Sequence, residues 1–310
     1  MRVVFLGTPE FAVPSLEALA AHHQVVAAYT QPDRPKGRGN QLAESPVKIA
    51  AQRLAIEVHQ PERIRRPENL DLLKSWAAEI MVVVGYGQII PQNIIDLPRR
   101  GILNVHASLL PKYRGAAPIQ WAIANGETHT GVTIMQIDAG LDTGDMLLKA
   151  ALTIGPSETA PELSARLAPL GSDLLLEALR QIEDGASKPE KQRHDEASLA
   201  PILKKEDGLV DWQRNAREIY NRWRGFNPWP GAYTVFRGQQ MSITGARLAE
   251  PRPGFPGRTF AEKRRFFVNC GNATLIELTE VQLAGKKRMS AEAFLNGYQL
   301  VENEMLGEKS

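Results

Sequence analysis

The first half of the chain alternates two kinds of segment, and that alternation restricts the fold more than any other feature. "RVVFLG" (2–7), "QVVAAYT" (24–30), "EIMVVVGYG" (79–87) and "GILNVH" (101–106) are short apolar runs rich in β-branched residues. Such runs suit strands buried on both faces, as in a parallel sheet. Between them stand helical stretches such as "PSLEALAAHH" and "SPVKIAAQRL", each with proline at or near its first turn, where a missing N–H is tolerated. Strand–helix repetition of this kind predicts a doubly wound, mostly parallel α/β sheet with right-handed crossovers. Ligands of such sheets bind at the carboxyl ends of the strands.

Two further strands follow, "GVTIMQID" and "DMLLKAALTI", joined by "AGLDTG", and then a long amphipathic helix from about Thr159 to Asp184. The next stretch, "GASKPEKQRHDEASLAPILKKEDG", is polar, charged and interrupted by proline, the composition of a linker. Beyond it a helix near "NAREIYNRWRG" leads into short strands broken by Gly and Pro. These predict a smaller C-terminal β-barrel or sandwich of about a hundred residues. The expected division is residues 1–187, a linker over 188–207, and 208–310. A chain of 310 residues, 43% of them apolar, is ample for two such cores.

Several chemistries lack support. The first βα turn, "GTPEFAVP", has one glycine where a dinucleotide fingerprint needs three. No phosphate-binding loop with Gly-Lys-Ser/Thr occurs, and the six scattered histidines lack zinc-site spacing, so no metal is expected. No apolar run reaches eighteen residues and no secretory leader precedes the first strand, which points to a cytoplasmic protein without a membrane span. The one cysteine, Cys270, suits a reducing compartment and reads as a strand-packing residue rather than a nucleophile. Charge is uneven: residues 1–187 carry 17 basic and 20 acidic side chains, a net of −3, and residues 188–310 carry 20 and 15, a net of +5. That asymmetry suits a polyanion meeting the C-terminal part, or simply a solvated surface.

"NVHASLLPKYRG" (104–115) interrupts the apolar pattern. Residues two apart on a strand face the same way, so Asn104 and His106 stand side by side at the strand end. Each alone has a plain explanation: Asn104 satisfying backbone, His106 packed in the core, and Asp142 an Asx-turn residue in "LDTG". Together, an amide, an imidazole and a carboxylate suit acyl transfer to an amine. The amide and a protonated imidazole can donate to a developing oxyanion. The carboxylate can keep the imidazole charged and help remove the amine proton. No side-chain nucleophile is needed if the substrate amine attacks directly.

The same segments carry a resemblance. "NVHASLLPKYRGAAPIQWAIANG", "TGVTIMQIDAGLDTGDML", "GYGQIIP" and "FNPWPGAY" closely resemble the methionyl-tRNA formyltransferase family, and the likeness runs from "VVFLGTPEFAVPSLEAL" to the C-terminal domain. The first two motifs mark the wider formyl-tetrahydrofolate transferase superfamily. The basic loop "QPDRPKGRGNQLAESPVK" and "LKKEDGLVDW" resemble its tRNA-specific branch. Asn40 and Gln41 stand where many relatives carry lysine or arginine, which lowers the charge of that loop. The resemblance implies a Rossmann-like formyltransferase domain followed by an OB-like barrel. It implies transfer of a formyl group from 10-formyltetrahydrofolate, a co-substrate, to the α-amine of methionine on initiator methionyl-tRNA, in a protein read as a monomer. Asn104, His106 and Asp142 match the family's catalytic trio. Ser108, Leu109, Leu110 and Pro111 match its folate loop, where backbone groups would meet the pterin edge. Arg114 and Gly115 would shape the next turn, with Arg114 also suited to a glutamate tail or phosphate. For tRNA the implied contacts are Arg34, Lys36, Arg38, Lys204, Lys205 and the basic C-terminal domain. Trp229 and Tyr233 suit either base stacking or core packing.

Two rivals remain open at the level of sequence. A formyltransferase for an amino-sugar nucleotide, or a formyl-tetrahydrofolate hydrolase, would share the trio but lack the Arg34–Arg38 loop. A catalytically silent RNA-binding protein on the same scaffold would not need the trio.

Overall fold

The structure is a computed structural model that describes residues 1–36 and 41–307. In chain order, β1 (Arg2–Gly7) passes through a 3-10 turn into α1 (Val13–His22) and β2 (Gln24–Tyr29). A short hairpin follows, β3 (Arg34–Lys36) and β4 (Gln41–Ala43). Next come α2 (Pro46–Arg53), β5 (Val58–His59), α3 (Pro67–Ser75), β6 (Ile80–Val84), α4 (Gln92–Ile95) and β7 (Ile102–His106). Then α5 (Pro118–Ala124), β8 (His129–Gln136), β9 (Met146–Thr153) and α6 (Ala160–Glu183) complete the first half.

Seven strands form one sheet in the order β5-β2-β1-β6-β7-β8-β9. Pairing is parallel as far as β7 and antiparallel for β7–β8 and β8–β9. The doubly wound sheet expected from the apolar runs is present. β1 and β6 show why: Val3 to Leu6 and Ile80 to Val84 are buried throughout, so each strand needs apolar residues on both faces. Helix α2 starts where Ser45 Oγ accepts from the Lys48 N–H at 3.0 Å, with proline at its first position. Helix α6 approaches the sheet closely at Gly171, where a Cβ would lie 2.9 Å from Val105 on β7. Glycine there lets the helix seat directly on the strand that carries Asn104 and His106.

The packing divides the chain into two units. The first comprises Met1–Pro118, His129–Thr153 and Glu162–Ile202; the second takes in Ile119–Thr128, Ile154–Pro161 and the chain from Leu203 onward. Residues 188–202, whose composition reads as a linker, are fastened to the first unit. Glu190 exchanges two backbone hydrogen bonds of 2.8 Å with Met146, and Arg114 forms a bridge with Leu199. Only Gln192 and Ala200 of this stretch are buried, so a mostly polar surface hides the attachment in the sequence.

In the second unit, α7 (Ala216–Gly225) is capped reciprocally by Asn215 and Glu218. Strands β10 (Ala232–Phe236), β11 (Gln239–Ala249), β12 (Thr259–Glu262), β13 (Arg265–Cys270), β14 (Thr274–Leu283) and β15 (Met289–Ser290) precede α8 (Ala291–Gly297). All their pairings are antiparallel, in the order β10-β11-β14-β13-β12 with β15 on β14. This is the small C-terminal β domain expected. Its core holds Trp212, Ile219, Phe236, Met241, Phe266, Leu278 and Phe294. Cys270 lies there too, fully buried, and burial pushes its thiol up to about 12, the setting of a packing residue. Among the described residues no helix is long and apolar enough to cross a membrane.

Candidate active site

Strand β7 ends at the carboxyl edge of the sheet, and its last residues carry the site. Asn104 pairs in register with Met135 of β8, and His106 with Thr133. The loop between β8 and β9 brings Asp142 to them, although the two segments are 38 residues apart. Asn104 Nδ2 donates to Asp142 Oδ1 at 3.2 Å, and His106 Nδ1 lies 3.6 Å from Asp142 Oδ2. The backbone N–H of Gly115 donates to the same Oδ2 at 2.8 Å. The structure thus brings the three residues together on one carboxylate.

The surroundings of His106 define its hydrogen positions. The ring is 5% exposed, and Nε2 sits 2.9 Å from the carbonyl oxygen of Tyr113. A carbonyl only accepts, so Nε2 carries a hydrogen; Nδ1 faces a carboxylate, which when ionised also only accepts. The 3.6 Å contact of Nδ1 with Asp142 is longer than a hydrogen bond, so the hydrogen-bonded ring nitrogen is Nε2.

Two backbone features make this geometry possible. Asp142 is left-handed, with φ of +51°, a conformation that Asp tolerates better than most residues. Gly115 has φ of +121°, and a Cβ there would lie 2.6 Å from the Ala200 carbonyl oxygen. Only glycine places its N–H against Asp142 while its Cα lies against that carbonyl.

The segment Ser108–Pro111 follows directly. Ser108 is fully buried, and its hydroxyl donates to the Lys112 carbonyl at 2.6 Å. Thr133 on β8 staples the loop: its hydroxyl donates to the Ser108 carbonyl at 2.7 Å and accepts from the Leu110 N–H at 3.1 Å. Leu110 packs in a small cluster with Met135 and Met146. The Ser108 N–H bonds the His106 carbonyl, and the Leu109 carbonyl accepts from Lys112. The Leu109 N–H and the Leu110 carbonyl have no such partner among the described residues.

Arg114 departs from one expectation. It is 7% exposed, and its guanidinium donates to Gln192 Oε1 at 3.0 and 2.7 Å and lies 3.2 Å from His194 Nδ1. It braces residues 188–202 and is not presented to an anionic ligand. Thr133, Tyr113 and Gln192 escaped the sequence reading. Thr133 had a signal, as the one hydroxyl within "VTIMQI" of β8, whereas Gln192 had none, being one polar residue in a polar stretch.

Of the residues expected to meet tRNA, Arg34 and Lys36 lie on β3, which pairs with β4 through Arg34↔Ala43 and Lys36↔Gln41. Arg34 is exposed; Arg38 lies outside the described residues. Lys204 and Lys205, in the second unit, are both exposed and make no ion pair among the described residues. Trp229 is 56% exposed, and Tyr233 is half-buried on β10. No group of three or more His, Cys, Asp or Glu able to hold a metal occurs among the described residues.

Comparison with known proteins is consistent across the chain. Residues 1–179 match the formyl transferase family, and residues 202–299 match the formyl transferase C-terminal domain. A methionyl-tRNA formyltransferase of Solibacter usitatus is 59% identical over 310 residues, covering 99% of both chains. One of Koribacter versatilis is 55% identical, covering all of both. Among solved structures, a sugar 3N-formyl transferase determined in the presence of dTDP and 5-N-formyl-THF superimposes with a TM-score of 0.68 at 20% identity. That match covers 93% of this chain and 99% of the other, a likeness of fold.

Proposed function

This chain belongs to the formyl transferase family, among its methionyl-tRNA formyltransferases, and from that premise we propose that it transfers a formyl group from 10-formyltetrahydrofolate to the α-amine of methionine on initiator methionyl-tRNA. The observation that carries this reading is the convergence of Asn104, His106 and the Gly115 N–H on the Asp142 carboxylate. In this reading the amine attacks the formyl carbon directly. A new C–N bond forms, and the formyl oxygen becomes the oxyanion of a tetrahedral intermediate. Its collapse breaks the bond to the folate nitrogen, which leaves with a proton as tetrahydrofolate.

Asn104 has two amide hydrogens, one on Asp142 and one for the oxyanion. His106, with Nε2 tied to Tyr113, donates to the oxyanion from its Nδ1 side. Asp142, aligned by Asn104 and Gly115, accepts the proton that the attacking amine must lose. In the Ser108–Pro111 loop the groups offered to the pterin edge are the Leu109 N–H and the Leu110 carbonyl. Arg34, Lys36, Arg38, Lys204, Lys205 and the basic C-terminal part would contact phosphates. The protein works as a monomer in the cytoplasm, where translation takes place.

A formylation assay tests the proposal with 10-formyltetrahydrofolate and three acceptors: methionyl-tRNA, an amino-sugar nucleotide and water. Formyl-methionyl-tRNA is the expected product. Equal or faster transfer to either of the other acceptors would overturn it.

A further inference from the structure

Gln192 lies in the stretch whose composition reads as a linker, yet it is 5% exposed and uses every hydrogen-bonding position of its amide. Nε2 donates to the carbonyl oxygens of Asp142 at 2.9 Å and of Gly144 at 2.8 Å. Oε1 accepts from Arg114 Nε at 3.0 Å and from Nη2 at 2.7 Å. One side chain therefore joins the turn that holds the Asp142 carboxylate to the residue just before Gly115, whose N–H holds the same carboxylate. The backbone on either side is sewn down: Glu190 pairs with Met146, the Arg114 N–H donates to the Ser198 carbonyl at 2.9 Å, and the Ala200 N–H donates to the Arg114 carbonyl at 2.7 Å.

We propose that Gln192 is a positioning residue for formyl transfer, a clamp whose two N–H donors hold the left-handed Asp142 turn so that its carboxylate meets Asn104, His106 and Gly115 together. This deepens the proposed function and rests on Asp142 acting in it. Left-handed backbone in a residue other than glycine is strained and persists only where the surroundings over-determine it. The two donors on the carbonyls of residues 142 and 144 supply that constraint. Released from them, the turn can relax, and the carboxylate leaves its three partners by a fraction of an ångström or more. Displacements of about 1 Å at reacting groups cost around a hundredfold in rate.

The test compares Gln192→Ala and Gln192→Glu with the native chain. The glutamate variant keeps an acceptor for Arg114 but sets a carboxylate oxygen against two carbonyls, so it preserves the anchor and removes the donors. Both variants are expected to lower kcat by roughly tenfold to a hundredfold while KM for formyl-folate and for methionyl-tRNA stays close to the native value. A second readout does not depend on turnover: the Gly115 amide proton, bonded to Asp142 Oδ2, is expected to shift upfield and exchange faster in both variants. Native kcat in either variant, a loss confined to KM, or an unmoved Gly115 amide would overturn the clamp. Asp142→Asn serves as the reference for the reading beneath it. If that variant turns over normally, the catalytic assignment fails, while the Gly115 resonance still reports on Gln192.

Discussion

The carbonyl oxygen of Tyr113 lies 2.9 Å from Nε2 of His106, so a backbone group seven residues downstream fixes which ring nitrogen carries a hydrogen. The imidazole is thereby locked with Nδ1 toward Asp142. Replacing His106 by Ala, or Asn104 by Ala, is expected to lower turnover by about 10²–10³, the usual cost of an oxyanion donor. Formyl-folate affinity should change little, because neither side chain belongs to the Ser108–Pro111 loop. Single-turnover formylation and folate titration measure the two separately; near-native turnover in His106→Ala would remove the mechanism.

Asp142 accepts from an amide side chain and a backbone N–H and faces an imidazole nitrogen. Asp142→Asn keeps the volume but replaces one acceptor oxygen by a donor and abolishes the negative charge. Turnover is expected to fall at least as far as in His106→Ala, at every pH where the native protein is folded, because no bulk base can occupy that position. Recovery of native rates at alkaline pH would show that the carboxylate is not the proton acceptor.

Thr133 is fully buried, and its hydroxyl serves both the Ser108 carbonyl and the Leu110 N–H. Thr133→Val leaves two buried backbone groups unsatisfied, a cost of about 1–3 kcal/mol each. The expected result is weaker formyl-folate binding with turnover at saturation much less affected. Thr133→Ser keeps the hydroxyl and is expected to restore affinity. Isothermal titration of both variants decides, and equal affinities in the two would dismiss the staple.

Glu277 supplies a pH dependence in the second unit. Burial acts to raise its carboxyl, but hydrogen bonds and charge from Arg247 and Arg265 more than reverse this and hold it at about 2. A carboxyl depressed in the folded state adds stability that is complete above its unfolded value near 4.5 and is lost as pH falls through about 2. Both arginines are half-exposed, so solvent screening limits the contribution to about 1–2 kcal/mol. Urea midpoints taken down the acid range should fall more steeply for the native chain than for Glu277→Gln. Parallel curves would refute the assignment.

Arg34, Lys36 and Arg38 provide the test of recognition. Each phosphate contact contributes roughly 0.7–0.9 to the slope of log affinity against log salt. The triple alanine variant is expected to bind tRNA with a slope shallower by about two to three units if all three meet phosphate, and by about one if a single residue does. Folate binding, titrated in parallel, is expected to stay unchanged. An unaltered slope with unaltered formylation would leave recognition to Lys204, Lys205 and the C-terminal unit.

Much of this could be read in the sequence because burial on both faces writes itself as apolar runs. β1, β2 and β7 stand within a residue of where those runs place them, and β6 stops at Val84, three residues short of its run. β5, with two residues, is too short to leave a pattern, and the β3–β4 hairpin hides among Gly and Pro that read as an open loop. Asn104 and His106 were legible since polar groups interrupt a strand that is otherwise apolar. Gln192 was not, because its burial is created by Arg114 and the Asp142 turn, far away in sequence. Arg114 misled for the same reason: a charged residue beside a ligand loop suggests an anion, and only the fold reveals Gln192 beneath it.

The attachment of residues 190–200 has a consequence for how such proteins are cut and rejoined. A catalytic piece ending with α6 would carry Asn104, His106 and Asp142 and yet lack Gln192, Ser198 and Ala200. A crossover after Ala200 is expected to keep these contacts with the residues they brace. The first unit therefore extends to Ile202, nineteen residues beyond Glu183 at the end of α6, through what looks like dispensable spacer.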